Sequence, residues 1–169
     1  MKNILFILIS SLLVNCGGNE AKNTSSLVDM KFHRYNEIDE LSNYTKISDT
    51  VIYGNNEEPK HSILHLKNDL NNLVIFNSIS SDTSNDKRLF TILDTLVIPN
   101  SNKSKLVTIG YCQINQDMNE NLIAIVDKTD SLIIENIHKV WMANTASNKI
   151  ESINNLDEIT CFNEWFVMN

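Results

Sequence analysis

The chain has 169 residues, with 14 Lys and Arg against 21 Asp and Glu and a formal net charge of −7. An acidic balance without a basic cluster excludes a nucleic-acid interface and electrostatic adhesion to anionic lipid. The length suits one domain with its own core.

The first segment, "MKNILFILISSLLVNC", sets one positive charge before a run from Ile4 to Val14 that is apolar except for Ser10 and Ser11. That is the length of a signal-peptide hydrophobic region and well short of the roughly 20 residues a spanning helix needs. "LVNC", from Leu13 to Cys16, resembles the lipobox of bacterial lipoprotein signal peptides, although Asn15 stands where the pattern has Gly, Ala or Ser. The resemblance implies cleavage before Cys16 and lipidation of its thiol, with residues 1–15 as signal peptide. Two or more acyl chains hold a protein stably to a bilayer. "GGNEAKNTSS" is small and polar, which predicts a flexible tether over residues 16–26 and a single globular body over 27–169. No Asp follows Cys16, and by resemblance to enteric sorting rules this favours the outer membrane.

Within the body, "NEIDELSNY" spaces Ile38, Leu41 and Tyr44 like one short helical face. "KISDTVIY" alternates and is β-branched, then ends at the turn cluster "GNNEEP". "HSILHLK" and "LVIFNSI" flank "NDLNN" as a hairpin, although Ile63, Leu66 and Leu70 are also at helical spacing. "SSDTSNDK" is a polar loop, and "LFTILDTLVIP" is a strand stopped at Pro99. "KLVTIGYCQI" and "NLIAIVD" are apolar on both faces, which predicts central strands. "NQDMNE" separates them as a turn. "SLIIENIHKVWMAN" is taken as strand against a helical alternative, and "TASNK" turns into the strand "KIESI". Short strands at about ten-residue spacing predict a mainly β fold, an antiparallel sheet or sandwich with minor α, the alternative being α+β.

Beyond Cys16, the cysteines are Cys112 and Cys161. An oxidising compartment makes one disulfide between them the expectation, against two buried free thiols. "HSILH" would chelate zinc on a helix, but on a strand His61 and His65 lie about 13 Å apart, too far for one ion. No metal site, cofactor motif or catalytic residue is therefore assigned. Gly110 in "GYC" is expected to relieve crowding. Asparagine is abundant and lysine outweighs arginine, of which there are only Arg34 and Arg88, a bias that argues against giving single Asn residues functional weight. "DTV", "DTL" and "DSL", beginning at Asp49, Asp94 and Asp130, resemble a short O-glycosylation motif of exported Bacteroidetes proteins, but ordinary strand entries and turns are the better explanation of each.

The stretch "VWMANTASNKIESINNLDEITCFNEWF" carries Trp141, Ala143, Asn144, Lys149, Glu151, Ile153, Cys161, Asn163 and Glu164. In that order and spacing they resemble the C-terminal region of short, functionally uncharacterised lipoproteins of Bacteroidetes-type bacteria. The turn "TASN" stands where the pattern leads one to expect a glycine. The resemblance implies an anchor and no catalytic residues. The expected function is a lipid-anchored envelope protein with a binding or structural role and no catalysis. Its partners would be the membrane through the lipid, and another envelope protein or a toxin, but not nucleic acid. An immunity-type protein neutralising an envelope-targeted toxin and a small envelope hydrolase using His138 or the His61/His65 pair are the rivals.

Overall fold

A computed structural model describes residues 24–55, 57–82, 87–100 and 102–166. The expected signal peptide, Cys16 and most of the expected tether lie outside the described residues. The fold is mainly β, as expected, with three antiparallel sheets and short 3-10 turns.

The first sheet is a meander of β2 (Thr45–Ile52), β3 (His61–Lys67), β4 (Asn71–Asp82) and β5 (Lys87–Pro99), with β1 (Lys31–Phe32) added beside β5. The β3–β4 hairpin is the expected one, joined across 68–70, where the Asn68 side chain accepts from the Leu70 and Asn71 N–H groups. "SSDTSNDK" is only partly loop, since β4 continues through Asp82. Strand β5 changes face partway along. Phe76 pairs with Asp94 and Asn77 with Ile92, so Leu93 is a β-bulge. Before it Phe90 and Ile92 face one side of the sheet; after it Val97 faces that side while Leu96 and Ile98 face the other.

"KLVTIGYCQI" is not one strand. It breaks at Gly110 (φ +73) into β6 (Lys105–Ile109) and β7 (Cys112–Ile114), which belong to different sheets. The left-handed backbone at Gly110 favours glycine, and a Cβ there would also crowd Thr50 on β2, lying 3.1 Å from its Oγ1. After β7 comes β8 (Asp117–Asn119), which sequence reading missed inside "NQDMNE". Asn115 (φ +53) and Gln116 (φ +72) form its two-residue hairpin turn, both in the left-handed region as a type I′ turn demands.

The second sheet orders β12 (Lys149–Ile153), β11 (Ile137–Asn144), β9 (Leu122–Asp127) and β6. The third orders β10 (Ile133–Ile134), β13 (Ile159–Phe162), β7 and β8. Cys112 and Cys161 face each other across β7 and β13 and form the expected disulfide. The Phe162 N–H bonds the Tyr111 carbonyl at 2.8 Å, which leaves 112/161 the closely spaced, non-hydrogen-bonded pair where side chains meet.

These elements stack in four layers. One face of the first sheet (Ile63, Val74, Phe76, Ile98) packs on one face of the second (Val107, Ile109, Ile123, Trp141). The other face of the second sheet (Leu122, Ala124, Val126, Val140) packs on the third around the disulfide. The other face of the first sheet (Leu64, Leu66, Leu73, Ile75, Ile92) is covered by the amino-terminal layer through Leu27, Phe32, Ile38 and Leu41. In that layer the expected helical face over Ile38, Leu41 and Tyr44 is two single 3-10 turns, Tyr35–Glu37 and Asp39–Leu41, continued by bonds from Leu41 N to Ile38 O and from Tyr44 N to Leu41 O. A three-residue spacing is the 3-10 period, which is why so few residues imitate a helix. Strand β9 is central, as expected, but β6 is an edge strand whose two apolar faces are met by layers above and below.

Asp94, on the bulge, ties the first two sheets together: its Oδ2 accepts from Ile150 N on edge strand β12 at 2.8 Å, and its Oδ1 from Thr95 N at 3.0 Å. Replacing Asp94 by Ala removes the acceptor of the half-buried Ile150 N–H and should cost about 1–3 kcal/mol in urea unfolding. An unchanged midpoint would remove Asp94 from this role. The disulfide spans 49 residues, which in the chain-entropy account is worth about 4 kcal/mol. A Cys112→Ala/Cys161→Ala variant should unfold at much lower denaturant, and equal midpoints with and without reductant would contradict the bond.

Candidate functional site

The residues singled out by the C-terminal resemblance hold the fold. Trp141 and Ala143 are buried between the first two sheets. Asn144 Oδ1 accepts from Ala146 N and Ser147 N, and its Nδ2 donates to Glu151 Oε2 at 2.9 Å. The Ser147 hydroxyl donates to Glu151 Oε1 at 2.6 Å, and these two bonds hold the Glu151 carboxyl below its ordinary pKa. Asn148 takes φ +58, the left-handed conformation for which glycine was expected and which Asn adopts more readily than most residues. Asn163 Nδ2 donates to the Thr129 carbonyl at 2.7 Å, and its Oδ1 accepts from Trp165 N. Burial pushes Glu164 up in pKa.

The four histidines do not converge. His61 and His65 are on strand β3, so the helical spacing that a shared zinc requires is absent. His61 stacks on Phe76 at 5.5 Å between centroids. His65 is 2% exposed and donates from Nε2 to Asn72 Oδ1 at 2.9 Å; Asn72 donates to Asn100 Oδ1, and Asn100 to the Asn68 carbonyl at 2.7 Å. His65 Nδ1 and the hydroxyl of Ser48, its cross-strand neighbour, have no partner among the described residues. His138 meets Asp127 at 2.6 Å on the surface. Among the described residues no three His, Cys, Asp or Glu side chains gather as a metal site would need. Of the three glycosylation-like triplets, Thr50 is wedged against Gly110 and Thr95 lies inside β5, whereas Ser131 is exposed.

Sequence reading missed the site with the most distinctive chemistry. A pocket of about 380 Å³ opens where the amino-terminal layer crosses the first sheet, within the size range of small-molecule sites. Phe32, His33, Arg34 and Tyr35 form its roof; Val51, Ser62 and Asn77 its floor; Phe90 and Arg88 one wall; and Lys46 and Asp49 the other. The roof is fastened at His33, where Nδ1 lies 2.9 Å from the Arg88 carbonyl, Nε2 lies 3.3 Å from Asp82, and the backbone N–H donates to Glu37 at 2.8 Å. That last bond, with the Arg34 N–H, keeps the Glu37 carboxyl low in pKa. Phe32 and Phe90 stack at 5.4 Å. Lys46 and Asp49 pair at 2.6 Å, while neither arginine forms an ion pair among the described residues.

Ser62 and Asn77 are direct cross-strand neighbours, 6% and 1% exposed, on a face otherwise built of Leu and Ile. Asn77 Oδ1 has no partner among the described residues, and Nδ2 reaches only the Ile75 carbonyl at 3.5 Å. A buried amide left this way costs about 1–3 kcal/mol. The signal lay in the sequence as a polar residue breaking each of two apolar strands, "HSIL" and "IFNS", but the general abundance of Asn hid it. Two larger hollows, of about 560 and 830 Å³, are shallower and lack such a buried polar floor.

No protein-family model, curated protein or solved structure matches the chain.

Burial lowers the pKa of His65 below the ordinary 6.5 and so favours the neutral imidazole in the folded chain, and burial lowers His61 in the same direction. The unfolded chain binds more protons than the folded one below that value. These two histidines therefore carry no such cost above about pH 6.5 and lower stability as pH falls below it. A His65→Gln variant should show a flatter decline in Tm between pH 7 and 5, and an identical slope would exclude this source.

Proposed function

We propose that the chain is a lipid-anchored protein of the cell envelope, attached through Cys16 and serving a binding role through its folded body. The observation that carries the reading is the buried Cys112–Cys161 disulfide, since such bonds form and persist in oxidising, exported compartments. An exported chain gives the apolar run before Cys16 a purpose as a signal peptide, and the polar residues after it a purpose as a tether. The outer membrane is the favoured bilayer, because no Asp follows Cys16. The amino-terminal layer begins at the 3-10 turn Thr24–Leu27, a few residues from the proposed anchor, so the pocket belongs to the layer that continues from the tether. The absence of a catalytic role belongs to the same proposal.

Two measurements test it. With Cys16→Ser, a radiolabelled fatty acid should no longer be incorporated, and the chain should move from the envelope pellet to the soluble fraction. Undiminished labelling and sedimentation would refute the anchor.

A further inference from the structure

We propose that the pocket under the amino-terminal layer binds a small aromatic carboxylic acid carrying a hydroxyl at the end of the ring away from the carboxylate. The inference deepens the binding role above and rests on that part of it, not on the anchor. Three features of one cavity define the ligand.

Arg34 and Arg88 line the pocket and come from different layers; neither forms a direct ion pair among the described residues, although the Glu37 carboxylate lies within the field of Arg34. The guanidinium fork matches a carboxylate bidentately, and it is the planar recognition element lysine lacks. Asp49, the acidic residue in the lining, is already engaged by Lys46 and does not neutralise them. Phe32 and Phe90 supply an aromatic wall against which a ring can lie. On the floor, the Asn77 Oδ1 is an acceptor without a donor, beside the Ser62 hydroxyl. Once the Asn77 side chain, 1% exposed as it stands, turns its Oδ1 toward the cavity, an O–H on the ligand would satisfy it, and a ligand lacking that group would leave it unpaired in a buried place.

The position of Asn77 makes a purely structural explanation the weaker one. Its neighbours on the same face of β4, Leu73 and Ile75, are buried without polar cost, and a Leu at 77 would continue them. An orphaned amide at the bottom of a cavity is the kind of local stability defect that binding sites retain.

The test uses the full-length chain in detergent and 4-hydroxyphenylacetate as probe, with phenylacetate, 4-hydroxyphenylethanol and inorganic phosphate as comparisons, followed by calorimetric titration to 10 mM. The hydroxylated acid should bind at least about tenfold more tightly than either analogue lacking one of its two polar ends. Arg34→Gln combined with Arg88→Gln, both exposed and so tolerated by the fold, should cost at least about tenfold. Asn77→Leu should keep or raise the Tm, removing an unpaired buried amide, and should erase the preference for the hydroxylated acid over phenylacetate. The inference is overturned if none of the probes binds, if phosphate competes as well as the acid, if the double arginine variant binds unchanged, or if Asn77→Leu keeps the preference. Failure here leaves the Cys16→Ser result unaffected, and a soluble Cys16-bearing chain would leave the titration unaffected, so the two proposals fail separately.

Discussion

A strand that is apolar on both sides needs a partner on both sides, and that requirement organises this molecule. Strands β3, β4, β6 and β9 present Leu, Ile, Val and Phe to opposite faces, so neither the first nor the second sheet can be satisfied by a single packed neighbour. At about 25 cal/mol per Å² of apolar surface, an uncovered sheet face would cost more than most single interactions contribute. The third sheet and the amino-terminal layer are the covers. The third sheet is small, built from strands of two to four residues, and its central strands are joined by the disulfide. Short strands supply little cohesion of their own, so a covalent cross-strand link is placed where the hydrogen-bond ladder is weakest.

The amino-terminal layer covers the first sheet differently. It has 3-10 turns and a two-residue strand, and it is held by Leu27, Phe32, Ile38 and Leu41 sinking between the strands, with His33 fastened to the Arg88 carbonyl. A cover of this kind seals apolar surface where its large side chains reach and leaves a gap where they do not. The pocket is that gap. Polar Ser62 and Asn77 occupy the sheet face beneath it, and the chain's two arginines border it. Imperfect covering of a flat sheet by an irregular segment thus turns a packing problem into a cavity with mixed chemistry.

Much of the fold was legible because strand formation is a local matter of period and punctuation. "HSILHLK", "LVIFNSI", "LFTILDTLVIP" and "NLIAIVD" form strands where alternation, β-branching and turn residues placed them, and Cys112 and Cys161 form the expected disulfide. The breaks were harder. Gly110 lets one apolar run serve two sheets, and the bulge at Leu93 changes the face of β5 without any glycine or proline to announce it. Only the neighbouring layers, by demanding apolar groups on particular sides, select those distortions.

The site divides the same way. Sequence by itself determined a β-rich acidic body and an amino-terminal segment with the pattern of a lipid-anchoring leader, because each rests on residues adjacent along the chain or on residue counts. The Cys112–Cys161 bond was an expectation that the pairing of β7 with β13 decided. Tertiary structure alone decided that Arg34 lies near Arg88 and that Ser62 and Asn77 share a cavity floor with Phe32 and Phe90. Those residues sit in four separate segments, and their meeting depends on register, on a bulge and on which layer covers which face. Such relations are set by long-range packing, and no window of sequence contains them.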